Sequence, residues 1–229
     1  MNSILKYLIF IPVILIGLSA CKKDEPKSIV YGYEYFPIET GKFVVYDVVD
    51  IFHDIVLEPA HDTSRYQIKE VIGEEFIDGE GEQAFKLRRF KRLNDTLSWS
   101  IKDVWTIKRT GTTAEVLDEN NRKIEMIFAI AYNRSWNDNA LNDGSEHECF
   151  YDKIYEPFSI NDIAFDSSVT AVCENFTSFV DHRVKKAVYA PGVGKIYSVF
   201  KDLQIDEFDT TNIQKGPELF YTVVDFGIE

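Results

Sequence analysis

The chain has 229 residues, 45% of them hydrophobic and 14% aromatic, with 25 basic against 38 acidic side chains for a formal net charge of −13. That apolar and aromatic content supports a folded core and excludes an intrinsically disordered protein. The acidity excludes nucleic-acid binding and electrostatic docking on anionic lipid, both of which need a basic face.

At the start, Lys6 precedes an apolar run from Tyr7 to Leu18, followed by Ser19-Ala20-Cys21 and the charged Lys22-Lys23-Asp24-Glu25. This is the layout of a secretory signal, and the run is shorter than the roughly 20 residues a membrane helix needs. Leu18-Ser19-Ala20-Cys21 resembles the bacterial lipoprotein consensus, which implies cleavage between Ala20 and Cys21 and acylation of the Cys21 thiol and its new amino group. Losing residues 1–20 removes one lysine and no acid, leaving a net charge of −14. Acyl chains must then supply the membrane attachment, at about 0.8 kcal/mol per buried methylene, and a multiply acylated cysteine is enough. Residues 21–30 read as a flexible tether. Within it, Lys23, Asp24 and Glu25 resemble the export signal of surface lipoproteins in Bacteroidota, which implies an outer-membrane, lipid-anchored protein exposed on the cell surface.

Residues 31–229 read as a single β-rich domain with no internal linker. Tyr35-Phe36-Pro37, Gly41 and Tyr46 form an opening pattern similar to that of many uncharacterised Bacteroidota lipoproteins. Pro37 blocks a ladder hydrogen bond and Gly41 supplies a turn, so a first long strand is predicted from Phe43 to Phe52. Further strands are predicted over 66–72 and 83–92, separated by the Asp78-Gly79-Glu80-Gly81 turn. Leu97, Trp99, Ile101, Trp105 and Ile107 share one parity and predict a half-buried strand, with Asp103 marking a bend on its apolar side. Strands over 113–117 and 123–130 flank the turn at Asp118-Glu119-Asn120-Asn121, and residues 133–147 read as a long loop around Trp136. Strands are then predicted at 148–155, 163–174 and 184–189. Pro191-Gly192-Val193-Gly194 with Tyr197 is similar to the closing motif of the same lipoproteins and feeds a terminal strand. A final strand is predicted over 219–226.

About ten short strands, and no sustained 3.6-residue apolar repeat, predict an all-β antiparallel fold with at most short helices. A sheet of that size curls or splits. The expected form is a single curved meander sheet or half-open barrel, with a short helix as a plug; the alternative is a two-sheet β-sandwich.

Few motifs carry chemistry. Cys149 and Cys173 are the cysteines left after Cys21, and in an oxidising compartment they are expected to pair, the alternative being two buried thiols. His53 and His61 lie eight apart, unsuited to a two-ligand helix site, and no H-E-x-x-H or paired C-x-x-C occurs, so no metal and no cofactor is expected. The oxygen-rich Asn137–Gly144 stretch does not fit a calcium loop. No nucleophile elbow, P-loop or dinucleotide fingerprint is present, so the domain is expected not to be an enzyme, with a glycan or ester hydrolase as the outsider. Lys86, Arg88, Arg89, Lys91 and Arg92 form a basic cluster that reads as a solvated strand face neutralising Glu70 and Glu74, or as a grip for an anionic partner. Trp99, Trp105 and Trp136 are candidates for stacking on a ligand. The expected function is binding of a glycan, lipid or peptide by a lipid-anchored domain. The alternative is an assembly protein docking an envelope partner at the membrane.

Overall fold

The computed structural model describes residues 30–229; the signal segment, Cys21 and Lys23-Asp24-Glu25 lie outside the described residues. Twelve strands follow one another along the chain: β1 (Lys42–Asp54), β2 (His61–Ile77), β3 (Gln83–Arg92), β4 (Ser100–Arg109), β5 (Thr113–Asp118), β6 (Asn121–Ile127), β7 (Ser135–Asn137), β8 (Glu148–Ile160), β9 (Ile163–Thr177), β10 (Asp181–Ala190), β11 (Gly194–Asp206) and β12 (Asp209–Ile228). They form one antiparallel sheet in the order β6-β5-β4-β3-β2-β1-β12-β11-β10-β9-β8-β7. Every neighbour in the sheet is also a neighbour in the chain, except that the first and last strands pair, Lys42 with Ile228 through Asp54 with Lys215. The fold is therefore an up-and-down meander whose two ends have met.

The two free edges, β6 and β7, are consecutive in the chain. The Ile124 N–H donates to the Asp138 carbonyl at 3.0 Å, the Trp136 indole N–H to the Ile124 carbonyl at 3.0 Å, and the Asn142 amide to the Arg122 carbonyl at 2.7 Å. These bonds draw the edges together and leave a nearly closed barrel. An eight-stranded barrel is just filled by its own side chains, and width grows with strand number, so twelve strands enclose more space than β side chains alone can fill.

Part of that space is taken by a strap at one end. Because the strands alternate in direction, the turns at 78–82, 110–112, 128–134, 161–162 and 191–193 lie at this upper end, and the remaining turns at the lower. Residues 33–35 form one 3₁₀ turn; among the described residues no α-helix plugs the barrel, and this strap stands where the short helix was expected. The Tyr33 hydroxyl donates to Gly111 O at 2.9 Å, Arg109 donates to Phe36 O at 3.0 Å, and the Gly192 N–H donates to Glu34 O at 2.7 Å. The strap is thus tied to two upper turns and to the end of β4. Gly32 enters it at φ 83°, where a Cβ would come within 2.4 Å of Ile130 Cδ1, so only glycine fits. Tyr35 and Trp136 share a core with Met126, Tyr151 and Tyr189, while Tyr46, Ile68, Val188, Ile196 and Val223 form a second.

Three expectations are corrected. The segment expected as a half-buried strand from Leu97 is a strand only from Ser100, and Leu97 and Ile101 are exposed. A register shift between Arg89 and Phe90 of β3 breaks the alternation there. The long loop at 133–147 contains the short edge strand β7, whose Trp136 anchors the seam. The tail expected as two short strands is a long hairpin, β11 and β12, turning at Glu207-Phe208. Both turn residues have positive φ, 51° and 63°. This is the backbone of a tight hairpin turn that glycine or asparagine ordinarily fills.

Candidate functional site

The interior is charged. Arg89 of β3 is 3% exposed. It donates to Glu70 of β2 at 2.9 Å and to Asp103 of β4 at 3.2 Å, and its guanidinium lies 3.6 Å from the centre of the Trp105 ring. It also reaches the Tyr221 hydroxyl of β12 at 3.3 Å, two strands beyond β2 in the sheet. Strand alternation explains the arrangement: residues 85, 87 and 89 share a face, so the basic cluster is split between two sides of the sheet. Lys86 and Arg88 point to the opposite side and pair with Glu74. The expected partners Glu70 and Glu74 are both used, but Arg89 spends its charge inside rather than on a solvated face.

A second ionic row crosses the lumen from β6 to β10 and β11. Tyr189 donates to Glu125 at 2.7 Å, and Lys195 Nζ lies 3.6 Å from the same carboxylate oxygen. Burial opposes ionisation of Glu125, yet attraction to Lys195 together with the Tyr189 hydrogen bond and Lys185 holds its pKa below the ordinary glutamate value. Burial likewise opposes charge on Lys195, and Glu125 and Glu70 overcome it, raising the lysine pKa. The two stay ionised together.

Glu125, Tyr189 and Lys195 line two adjoining cavities. The upper, about 80 Å³, is walled by Phe43, Ile72, Leu87, Trp105, Ile107 and Val116 under the strap residues Phe36 and Pro37, with Lys42 and Glu70 as its other charges. The lower, about 160 Å³, extends past Lys185, Asp138, Leu219 and Tyr221. Both are smaller than a typical small-molecule site but share its character, mostly apolar walls with a few placed polar groups. Trp105 carries a further mark: its indole N–H is buried and has no hydrogen-bond partner in the protein, whereas buried tryptophans ordinarily find one.

The three tryptophans do not converge. Trp105 lines the upper cavity, Trp136 is 7% exposed in the seam, and Trp99 sits in the lower β3–β4 turn with Arg92 stacked at 4.3 Å. Cys149 and Cys173 are bonded, joining β8 to β9 next to the seam. Asp138 lies close to their sulfurs; in the disulfide those sulfurs are no longer thiolate ligands, and Asp138 pairs instead with Lys185 and His147. The Asn137–Gly144 stretch is tied by its own side chains: Asn137 Oδ1 accepts from the Asn139 and His147 N–H groups, and Asn142 Oδ1 from Gly144.

At the upper rim a lysine occupies an acidic ring. Lys108 Nζ is 3.0, 2.8 and 2.7 Å from Asp78, Glu80 and Glu82. Backbone N–H groups of the turn and Lys108 hold the Asp78 carboxyl at about 2. Arg122 and Lys108 hold that of Glu80 at about 2. Folded values below the unfolded ones mean that the contribution is present above about pH 4.5 and is lost as the pH falls through about 2. Amide exchange in the 78–82 turn is therefore expected to stay slow at pH 5 and to accelerate between about pH 4 and 2, ahead of exchange in the β1–β12 ladder; simultaneous loss of both would remove the local origin of the effect.

Sequence reading also passed over a histidine pair. His53 and His61 face each other across the β1–β2 hairpin, their Nδ1 atoms 2.8 Å apart. The signal was hairpin spacing: with a turn centred at residue 57, positions eight apart become cross-strand partners.

The fold and its lumen define a twelve-stranded antiparallel meander barrel with an amphiphilic interior. Comparison with protein-family models, with curated proteins and with solved structures found no match.

Proposed function

We propose that this is an outer-membrane lipoprotein, held through acyl chains on Cys21 and directed to the cell surface by Lys23-Asp24-Glu25, whose barrel binds a small amphiphile. Of the glycan, lipid and peptide ligands the sequence left open, a lipid-like molecule suits the interior best. The observation that carries this is the upper cavity: aliphatic walls from β2 to β5 on one side, and Lys195, Glu125 and the unpartnered Trp105 indole N–H as polar anchors. An acyl or aryl body against Ile72, Leu87 and Ile107 with its head at Lys195 uses each group. Nothing in this reading requires catalysis, a metal or a cofactor.

The domain from residue 30 onward, freed of the anchor, is expected to bind parinaric acid at one equivalent with a change in tryptophan fluorescence. Lys195→Met should weaken binding roughly tenfold, about 1.4 kcal/mol, and Trp105→Phe should abolish the fluorescence change. No binding by acyl chains of any length, or identical affinity in both variants, would sink the proposal.

A second reading, docking of an envelope partner, is favoured by the lower turns. Val56 and Leu57 of the β1–β2 turn, Leu93 of β3–β4, Phe179 and Val180 of β9–β10 and Phe208 of β11–β12 are each more than half exposed. Phe208, at positive φ, packs edge-on against Phe179 at 5.5 Å, so backbone strain is accepted to present apolar rings. The described chain begins, at residue 30 and the strap, at the opposite end of the barrel from these tips. Photo-crosslinkers at Val56 and Phe208 in intact cells are expected to capture one partner, lost on Val56→Asp; recovery of the uncrosslinked monomer alone from both positions would count against docking.

A further inference from the structure

The cross-strand histidine pair has a chemistry that neither the lumen nor the apolar tips use. His53 is 6% exposed, His61 is on the surface, and their Nδ1 atoms approach to 2.8 Å with the rings inclined at 66°. On the far side of the His53 ring, Nε2 is buried and lacks a hydrogen-bond partner, and the nearest acceptor is Glu218 Oε1 at 3.6 Å. Glu218 is itself 6% exposed and is held by Lys201 at 3.3 Å.

These contacts set the tautomer. A buried carboxylate facing Nε2 favours a proton there, because the alternative sets a nitrogen lone pair against a negative oxygen. The lone pair of His53 is then on Nδ1, turned toward His61. A histidine whose far nitrogen faces a carboxylate approaches the supporting arrangement of a metal-ligating imidazole, and its near nitrogen is engaged only by the Nδ1 of the other histidine, so that a metal ion would displace one shared proton. His61 then donates its Nδ1–H to His53 Nδ1 in the metal-free pair, and release of that one proton would offer a second Nδ1 lone pair to the same ion.

We propose that His53 and His61 form a binding site for a divalent transition-metal ion, Cu²⁺ before all others, with Glu218 as the positioning residue of His53. The spacing selects the ion: two nitrogens 2.8 Å apart, each about 2.0–2.1 Å from one metal, subtend roughly 85–90° at it. That is a cis pair of a square-planar or tetragonal site, the geometry of Cu²⁺ and Ni²⁺, and is too acute for tetrahedral Zn²⁺. The affinity order of divalent ions for nitrogen ligands places Cu²⁺ first as well. Because His61 is at the surface, the remaining positions are open to water or to a donor from another molecule. Among the described residues the other acidic or cysteine clusters are already spent, one on Lys108 and the other on the disulfide.

The test is calorimetric titration of CuSO₄ into tag-free, metal-stripped full chain in detergent, followed by electron paramagnetic resonance of the one-to-one sample. One equivalent is expected, with hyperfine structure from two imidazole nitrogens. His61→Ala changes an exposed side chain, so it should fold normally, and it is expected to weaken binding at least tenfold. Glu218→Gln should weaken it roughly tenfold as an orienting partner does, and His182→Ala should leave it unchanged. The proposal is overturned if no saturable site appears, if His61→Ala binds as tightly as the parent, or if the spectrum shows only oxygen ligands; unchanged affinity in Glu218→Gln would overturn the orienting role.

Discussion

Replacing Arg89 by methionine is expected to destabilise the protein by about 3–5 kcal/mol, the cost of removing one partner from a buried ionic cluster. The side chain ties β3 to three other strands: Glu70 on β2, Asp103 and Trp105 on β4 and Tyr221 on β12. Methionine fills a similar volume, so what is lost is charge rather than packing. Glu70, whose side chain is 13% exposed, would be left buried without its hydrogen-bonded partner and offset only by Lys195 across the cavity, and the Trp105 ring would lose the cation on its face. The effect should be read as a lower urea midpoint with an unchanged denaturant slope, which separates lost stability from a changed unfolded state. In a domain of this size each kcal/mol is worth about 2–4 °C of melting temperature, so a fall of roughly 10 °C is expected. The double replacement Arg89→Met with Glu70→Met should recover much of the loss, because removing both charges costs far less than stranding one. A single variant within about 1 kcal/mol of the parent, a value typical of exposed ion pairs, would show that the cluster is not a structural hub.

The second large effect is expected at Cys149–Cys173. The bond spans a sequence separation of 24 residues, and closing a loop of that length restricts the unfolded chain by about 3 kcal/mol on the entropy model. The Cys149→Ala, Cys173→Ala double variant should therefore lose about 3 kcal/mol in urea, and reduction of the parent with dithiothreitol should give the same shift. Position sharpens the prediction. The bond joins the first residues of β8 to β9 beside β7, and β7 is only three residues long and closes the barrel seam. Hydrogen exchange at Ile124 and Trp136 should accelerate before exchange in the β1–β12 ladder, since local opening begins where few bonds hold. Equal protection at the seam in the oxidised and reduced proteins would confine the bond's role to the unfolded state.

Both effects belong to residues that the sequence marked for other reasons. Arg89 stood out as one of five basic residues in seven positions, yet which of the five turns inward depends on strand phase, and the register shift at Phe90 lies next to it. The cysteine pair was legible because two thiols remained after Cys21. His53 and His61 were visible as residues but not as neighbours, since pairing them requires the hairpin register. Trp99, Trp105 and Trp136 were marked as a set; the barrel gives each a different environment and leaves Trp105 beside the cavity.

What the sequence alone determined is local and compositional: the strand-rich meander, most of the turns, and a strongly acidic chain. Turns marked by Asp-Gly or Pro-Gly, such as 78–81 and 191–194, were read correctly because those residues carry their own backbone preference. The Glu207-Phe208 turn was not, because it takes the left-handed conformation against preference and only the β11–β12 ladder enforces it. Tertiary structure alone decided that the first and last strands pair, that the β6 and β7 edges meet, and that Glu70, Arg89, Glu125 and Lys195 turn into the lumen. The physical reason is that each of these depends on contacts between residues up to 186 positions apart, as Lys42 and Ile228 are. Such contacts are fixed by closure of the whole sheet and leave no periodic trace in any one strand.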